Sequence, residues 1–157
     1  MQTVSKYMSQ HHADLDSLFE EFVGKQADKP TQAIPMADKF RLGLLNHIVW
    51  EEEILFPTFD ERAGIQGGSP TAVMRSEHGR IKELLKEISA KLSRNELAGL
   101  AEPENELAEI LCAHNRKEEN ILYPPIDALL TDEEREDVFA RMAAIVALQA
   151  SRTAKYA

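Results

Sequence analysis

Residues 47–57 read "HIVWEEEILFP" and residues 114–124 read "HNRKEENILYP". A shift of 67 lays one stretch on the other. His47 falls on His114, Glu51 on Glu118 and Glu52 on Glu119. Ile54, Leu55, Phe56 and Pro57 fall on Ile121, Leu122, Tyr123 and Pro124, and Asp60 then meets Asp127. A shift of 66 does the same upstream: His12 falls on His78, Met8 on Met74, Leu15 on Ile81 and Phe19 on Leu85. One helix pair is thus written twice, and repetition makes chance placement of the shared polar set hard to sustain.

Around these stretches the apolar residues follow the helical period, and strand-like alternation is absent. Four segments are expected, at about 5–24, 35–56, 70–92 and 103–123. Ser69 reads as an N-cap with Pro70 at the first helical position. Pro57 and the pair Pro124–Pro125 read as the stops of segments two and four. The tail opens with Thr131 and Glu134 in capping-box spacing. Val138, Phe139, Met142, Ile145, Val146 and Gln149 then form a stripe, so a fifth helix is expected at about 131–152. It packs on the bundle or on a second subunit. Short connections between long amphipathic helices predict an all-α fold, an antiparallel up-down four-helix bundle with an added C-terminal helix. The 157 residues suit one domain.

Residues four apart share a helix face. One such face carries Phe40, Leu44, His47, Glu51 and Ile54; its repeat carries Leu107, Leu111, His114, Glu118 and Ile121. The polar pairs therefore point into the core. An ionised carboxylate there costs several kcal/mol unless compensated, and neither face offers a Lys or Arg. Two cations would compensate both carboxylates and use the imidazoles of His12, His47, His78 and His114 as donors. Such mixed ligands suit iron, manganese, zinc and copper. Two six-coordinate ions offer roughly twelve positions, of which the imidazoles, two bridging carboxylates and an oxo or hydroxo bridge leave about two open. Open positions mark a functional rather than a structural site.

The net charge of −9 argues against nucleic acid and anionic membranes as partners. No apolar run spans a bilayer, the N-terminus lacks the parts of a signal peptide, and Cys112 is the single cysteine. These features predict a cytoplasmic protein.

The stretches "SQHHADLDSLFEEF", "NHIVWEEEILFP", "VMRSEHGRIKELL" and "AHNRKEENILYP" closely resemble the hemerythrin-like family, the HHE cation-binding domain, from about Met8 to Pro125. The resemblance implies a four-helix bundle around a non-haem di-iron centre. Its ligands would be His12 from helix one, His47 and Glu51 from helix two, His78 from helix three, and His114 and Glu118 from helix four, with the glutamates bridging. The oxygen carriers of that family have a second histidine on helix three, where this chain has Met74 and Lys82, and an aspartate where it has Glu118. The phrases "SPTAVMRSEH" and "ADKPTQ" instead resemble the di-iron proteins of iron–sulfur cluster repair and nitric oxide stress, which carry a histidine where this chain has Gln26.

The expected function is therefore binding of O₂ or NO at a di-iron pair, in sensing, scavenging or stress response. The alternatives are a di-iron enzyme (NO reduction, peroxide removal, cluster repair), an iron-handling regulatory module and, weakest, hydrolytic zinc chemistry. A monomer or homodimer, with a redox partner protein, is compatible with this. His11 has three readings: a fifth ligand, a proton donor behind the ligands, or a surface residue. Tyr7 reads as a partner of a metal-bound ligand or as a tyrosine at the bundle end. Trp50, Met8 and Met74 read as packing, Glu52 and Glu119 as solvated or paired between helices, and Cys112 as a small packed side chain.

Overall fold

The computed structural model describes residues 1–63 and 70–156. Helix α1 spans Val4–Lys25 and α2 spans Pro30–Trp50. A single π-turn, Glu51–Leu55, joins α2 to α3, Phe56–Ala63, in one rod. Helix α4 spans Pro70–Ser93, and a 3-10 turn at Leu97–Gly99 leads to α5, Ala101–Lys117. A second π-turn, Glu118–Leu122, joins α5 to α6, Tyr123–Leu129. Helix α7, Asp132–Tyr156, closes the fold. Among the described residues there is no strand. The four rods are α1, α2–α3, α4 and α5–α6, and successive rods run antiparallel, so the bundle with an added helix is what forms.

Three expectations need correction. Pro35 was expected to open the second helix, but the helix begins at Pro30, where a missing N–H costs nothing. Pro57 and Pro124 do not stop their helices. The π-turn absorbs each proline, and the carbonyl that Pro57 cannot serve, that of Glu52, accepts from Arg75 Nη2 at 3.2 Å. Ile121 does not join the core face. The i→i+5 turn brings Leu122 and Tyr123 fully inside, and Ile121 is 50% exposed, whereas Ile54 at the matching position of the first π-turn is buried in the cluster that α7 covers. The expected Ser69 cap lies outside the described residues.

The ends of the rods are held by the repeat itself. Asp127 accepts from the N–H groups of Val4 (2.7 Å) and Ser5 (3.0 Å) at the start of α1. Asp60 accepts from the Thr71 hydroxyl (2.8 Å) at the start of α4. Each half thus places a carboxylate at the positive end of the other half's first helix. Asn95 ends α4 in the left-handed conformation, φ 57. Gly43 lets α1 approach α2: a Cβ there would meet Leu15 Cδ2 at 2.9 Å.

Thr131 and Glu134 form the expected capping box, with Glu134 N–H on the Thr131 hydroxyl and Thr131 N–H on the Glu134 carboxylate. Helix α7 packs on the bundle: Val138 and Met142 are buried against Trp50 and Met8, and Trp50 Nε1 donates to Met142 O at 3.1 Å. Two apolar clusters result. One gathers Met8, Trp50, Phe56, Met74 and Tyr123 with α7, and the other gathers Leu15, Phe22, Phe40, Leu44, Ile81 and Leu107. The polar residues lie between them.

Candidate metal centre

Each rod delivers its polar residue from mid-length, because the apolar stripe continues on both sides of it. The structure brings His12, His47, His78, His114, Glu51 and Glu118 together, and all six are buried. They form two groups, His12–His47–Glu51–Glu118 and Glu51–His78–His114–Glu118, in each of which one donor atom per residue lies within 4.8 Å of the others. The two carboxylates belong to both groups.

The imidazoles are fixed from behind. Nδ1 of His12 donates to Glu119 (2.7 Å), that of His78 to Glu52 (2.9 Å) and that of His114 to Glu77 (2.7 Å). The fourth, His47 Nδ1, meets His11 Nδ1 at 2.8 Å, ring parallel to ring. With Nδ1 protonated, Nε2 carries the lone pair, and in all four rings Nε2 points inward. There it faces carboxylate oxygens: His47 Nε2 is 3.3 Å and His78 Nε2 3.1 Å from Glu51. His114 Nε2 is 2.7 Å and His12 Nε2 3.4 Å from Glu118. Glu51 Oε2 and Glu118 Oε1 meet no donor other than these imidazole nitrogens. With neutral imidazoles, lone pairs would face lone pairs in a dry interior, an arrangement that needs positive charge between them. Protons on His114 and His12 meet part of that need without metal, and bound cations would meet it fully. The donor set fits a pair of ions sharing two carboxylates.

The electrostatics carry the same demand. Burial alone would raise Glu51, yet His47 and then His78 hold it well below the usual carboxylate range. Burial alone would lower His114, but Glu118, Glu51 and Glu77 outweigh it and push it up to about 9. His12 is likewise raised, by Glu118 and Glu119 against burial. His11 is lowered to about 4, by burial first and then by His47 and His12.

Sequence reasoning offered Glu52 and Glu119 as solvated or paired between helices; they pair with His78 and His12. It missed Glu77, although the shift of 66 places His11 on Glu77, and these two hold His47 and His114 in matching positions. It also missed Tyr123. The phenol hydroxyl donates to Glu51, lies 3.1 Å from Glu118 Oε2 and 3.4 Å from Nε2 of both His12 and His47. Its counterpart in the repeat, Phe56, stacks on His78 at 5.5 Å with no polar atom to offer. Tyr7 is away from this cluster, packed on Trp50 and Phe139. Met8 and Met74 are core residues. Cys112 is exposed rather than packed, on a groove between α1 and α5 that reaches His12 and Glu119. Gln26 lies fourteen residues beyond His12, roughly 21 Å along the helix, and donates to Glu104 (3.0 Å).

Among the described residues no helix is long and apolar enough to cross a membrane. Known proteins resemble the chain in the same terms. Among the relatives is the "Iron-sulfur cluster repair protein YtfE" of Dickeya chrysanthemi, 30% identical over 135 residues, which are 77% of this chain and 61% of the relative. That of Escherichia coli O81 is 31% identical over 141 residues, with the same coverage. That of Cronobacter sakazakii is 30% identical over 135 residues, 76% of this chain and 60% of the relative. The chain thus spans about three fifths of the length of these curated relatives. No solved structure matches it. The Hemerythrin family, described as the hemerythrin HHE cation binding domain, matches residues 3–126 and, in a second overlapping match, 69–146. The chain belongs to the hemerythrin HHE cation-binding family, and its cofactor is that family's non-haem pair of irons.

Proposed function

We propose that this chain, as a single domain, binds a small diatomic ligand, O₂ or NO, at its iron pair, in sensing, scavenging or stress response. One iron would be held by His12 and His47, the other by His78 and His114, with Glu51 and Glu118 bridging the two. The observation that carries this is the sharing of both buried carboxylates by both histidine pairs. A shared pair of ions with about twelve positions and eight filled by these side chains keeps room for a bridge and an exogenous ligand. When bound, the irons supply coordination sites and electrons for such a ligand.

The protein's own groups prepare that chemistry. Glu119, Glu52 and Glu77 fix three imidazoles in the tautomer that leaves Nε2 free, which raises their basicity as donors. The two apolar clusters keep the interior dry on either side. Without metal, the Tyr123 hydroxyl donates to Glu51 and lies beside Glu118. The lone cysteine suits a reducing compartment such as the cytoplasm. An acidic chain of this kind would work without nucleic acid or membrane, as a monomer or homodimer, drawing electrons from a redox partner protein.

A second reading is enzymatic: NO reduction, peroxide removal or cluster repair. The relatives named for iron–sulfur cluster repair favour it, and the departure at Gln26, which pairs with Glu104 rather than with the centre, weighs against a simple transfer. Anaerobic stopped-flow of reduced protein with O₂, NO and peroxide separates the two. A stable adduct at one equivalent per centre supports binding. Consumption beyond one equivalent per centre refutes a pure binder and supports the enzyme.

A further inference from the structure

The two halves of the centre match in all six shared donors; besides His11 against Glu77 behind the rings, they differ inside the centre at one atom that the six-residue set does not account for. Where the first half has Phe56, the second has Tyr123. The π-turn explains how that residue arrives. Tyr123 N–H bonds to Glu118 O, five residues back, so the wide turn swings position 123 onto the face that carries Glu118. An ordinary α-turn would have placed Leu122 there.

The hydroxyl is fully buried at the heart of the first group. Its oxygen is in contact with one donor atom from each of His12, His47, Glu51 and Glu118, the longest of these separations being 3.4 Å. Donors bound side by side on one ion at about 2.1 Å stand roughly 3 Å apart. An oxygen at that spacing from four donors at once occupies a fifth corner of the same coordination shell. A hydroxyl also has one proton for two carboxylates, so as a hydrogen-bond donor it leaves one of them unserved.

We propose that Tyr123 is a further metal donor: its phenolic oxygen coordinates the iron held by His12 and His47. Coordination exchanges the O–H bond for an oxygen–iron(III) bond, the proton leaves to solvent, and no electron moves. The first iron then has five protein donors, two imidazoles, two carboxylates and the phenolate. The second, with His78 and His114, has four and faces the Phe56 ring instead. The two ions are inequivalent by construction, and the iron beside His78 and His114 keeps the more open positions for an exogenous ligand.

This rests on the iron pair of the proposed function, and the test keeps the two apart. Wild type, Tyr123→Phe and Tyr7→Phe are loaded with a ferrous salt and oxidised with dioxygen from air. Iron content and resonance Raman spectra are then recorded. The expected result is two irons per wild-type chain and a visible phenolate-to-iron(III) charge-transfer band with enhanced phenolate ring modes. Tyr123→Phe loses the band and the modes, and Tyr7→Phe keeps both. Tyr123→Phe is the residue the first half already uses at the matching position, so the packing tolerates it. Two irons in wild type without phenolate modes, or modes that persist in Tyr123→Phe, overturn the proposal and leave the iron pair standing. A wild-type chain that takes up no iron pair overturns both.

Discussion

Replacing Glu77 with Ala isolates what the carboxylates behind the histidines contribute. Glu77 accepts from His114 Nδ1 at 2.7 Å and pairs with Lys117 through its other oxygen. Its side chain is 27% exposed and that of Lys117 33%, so truncation leaves no buried charge stranded. The cost falls on the imidazole, which loses its fixed tautomer and orientation. Removal of such a partner weakens metal binding by about tenfold to a hundredfold, or about 1.4 to 2.7 kcal/mol. Glu77→Gln keeps an acceptor oxygen but not the charge, so a smaller loss, under about tenfold, is expected. The assay is competition for iron with a chromogenic chelator, resolved into two binding steps. Glu77→Ala should weaken one step, that of the ion beside His114, and leave the other near wild type. His11→Ala should weaken the opposite step through His47. Thermal unfolding of the metal-free variants checks that the fold is intact; Glu77→Ala should unfold cooperatively with a modest loss of stability, because Glu77 also supports the protonated His114. If Glu77→Ala holds both irons as tightly as wild type, the orienting role is refuted. If it weakens both steps equally, the assignment of two separate histidine pairs is refuted.

Replacing Glu118 or Glu51 with Ala removes an oxygen from both groups and should cost at least one metal per chain; retention of both by elemental analysis would contradict bridging. Metal-free protein should be stabilised by the protonated His114, whose value is raised from 6.5 to about 9. That contribution is complete below 6.5 and is lost as pH rises through about 9, so apo stability from urea titrations should fall over this window while iron affinity climbs. A flat apo profile there would exclude the charge of His114 from the fold's stability. Glu104 is raised by burial, with Gln26 its donor, and Glu104 Oε1 and Gln26 Oε1 both lack partners. Its ionised form therefore destabilises the fold. Glu104→Gln supplies an N–H for Gln26 and should add about 1 kcal/mol at neutral pH. The gain should fade as the medium is acidified toward 4.5, where the wild-type carboxyl regains its own proton. A loss of stability at neutral pH would contradict this.

Helical period and internal repetition are local properties of the chain, and they determined the class of fold, the existence of five helices and the six residues of the shared polar set. The period works because His12, His47 and His114 each sit in stripes whose apolar members must face one core. The capping box at Thr131 and Glu134 was equally legible, since both partners lie in one turn. Other features depend on what lies across the bundle. A proline announces a missing N–H but not whether the helix can widen to absorb it. That was decided by the π-turns, with Arg75 serving Glu52 O at the first and the second bringing Tyr123 in; Ile54 is buried and Ile121 exposed because α7 packs over the first turn. Glu52 and Glu119 read as solvated or paired between helices, and only the bundle decided for pairing, because their partners, His78 and His12, are on other helices. Helix α7 carried a stripe without an address until Trp50 and Met142 met. The repeat in the chain wrote a symmetric pair of sites; packing turned two small departures from it, His11 against Glu77 and Phe56 against Tyr123, into an asymmetric centre.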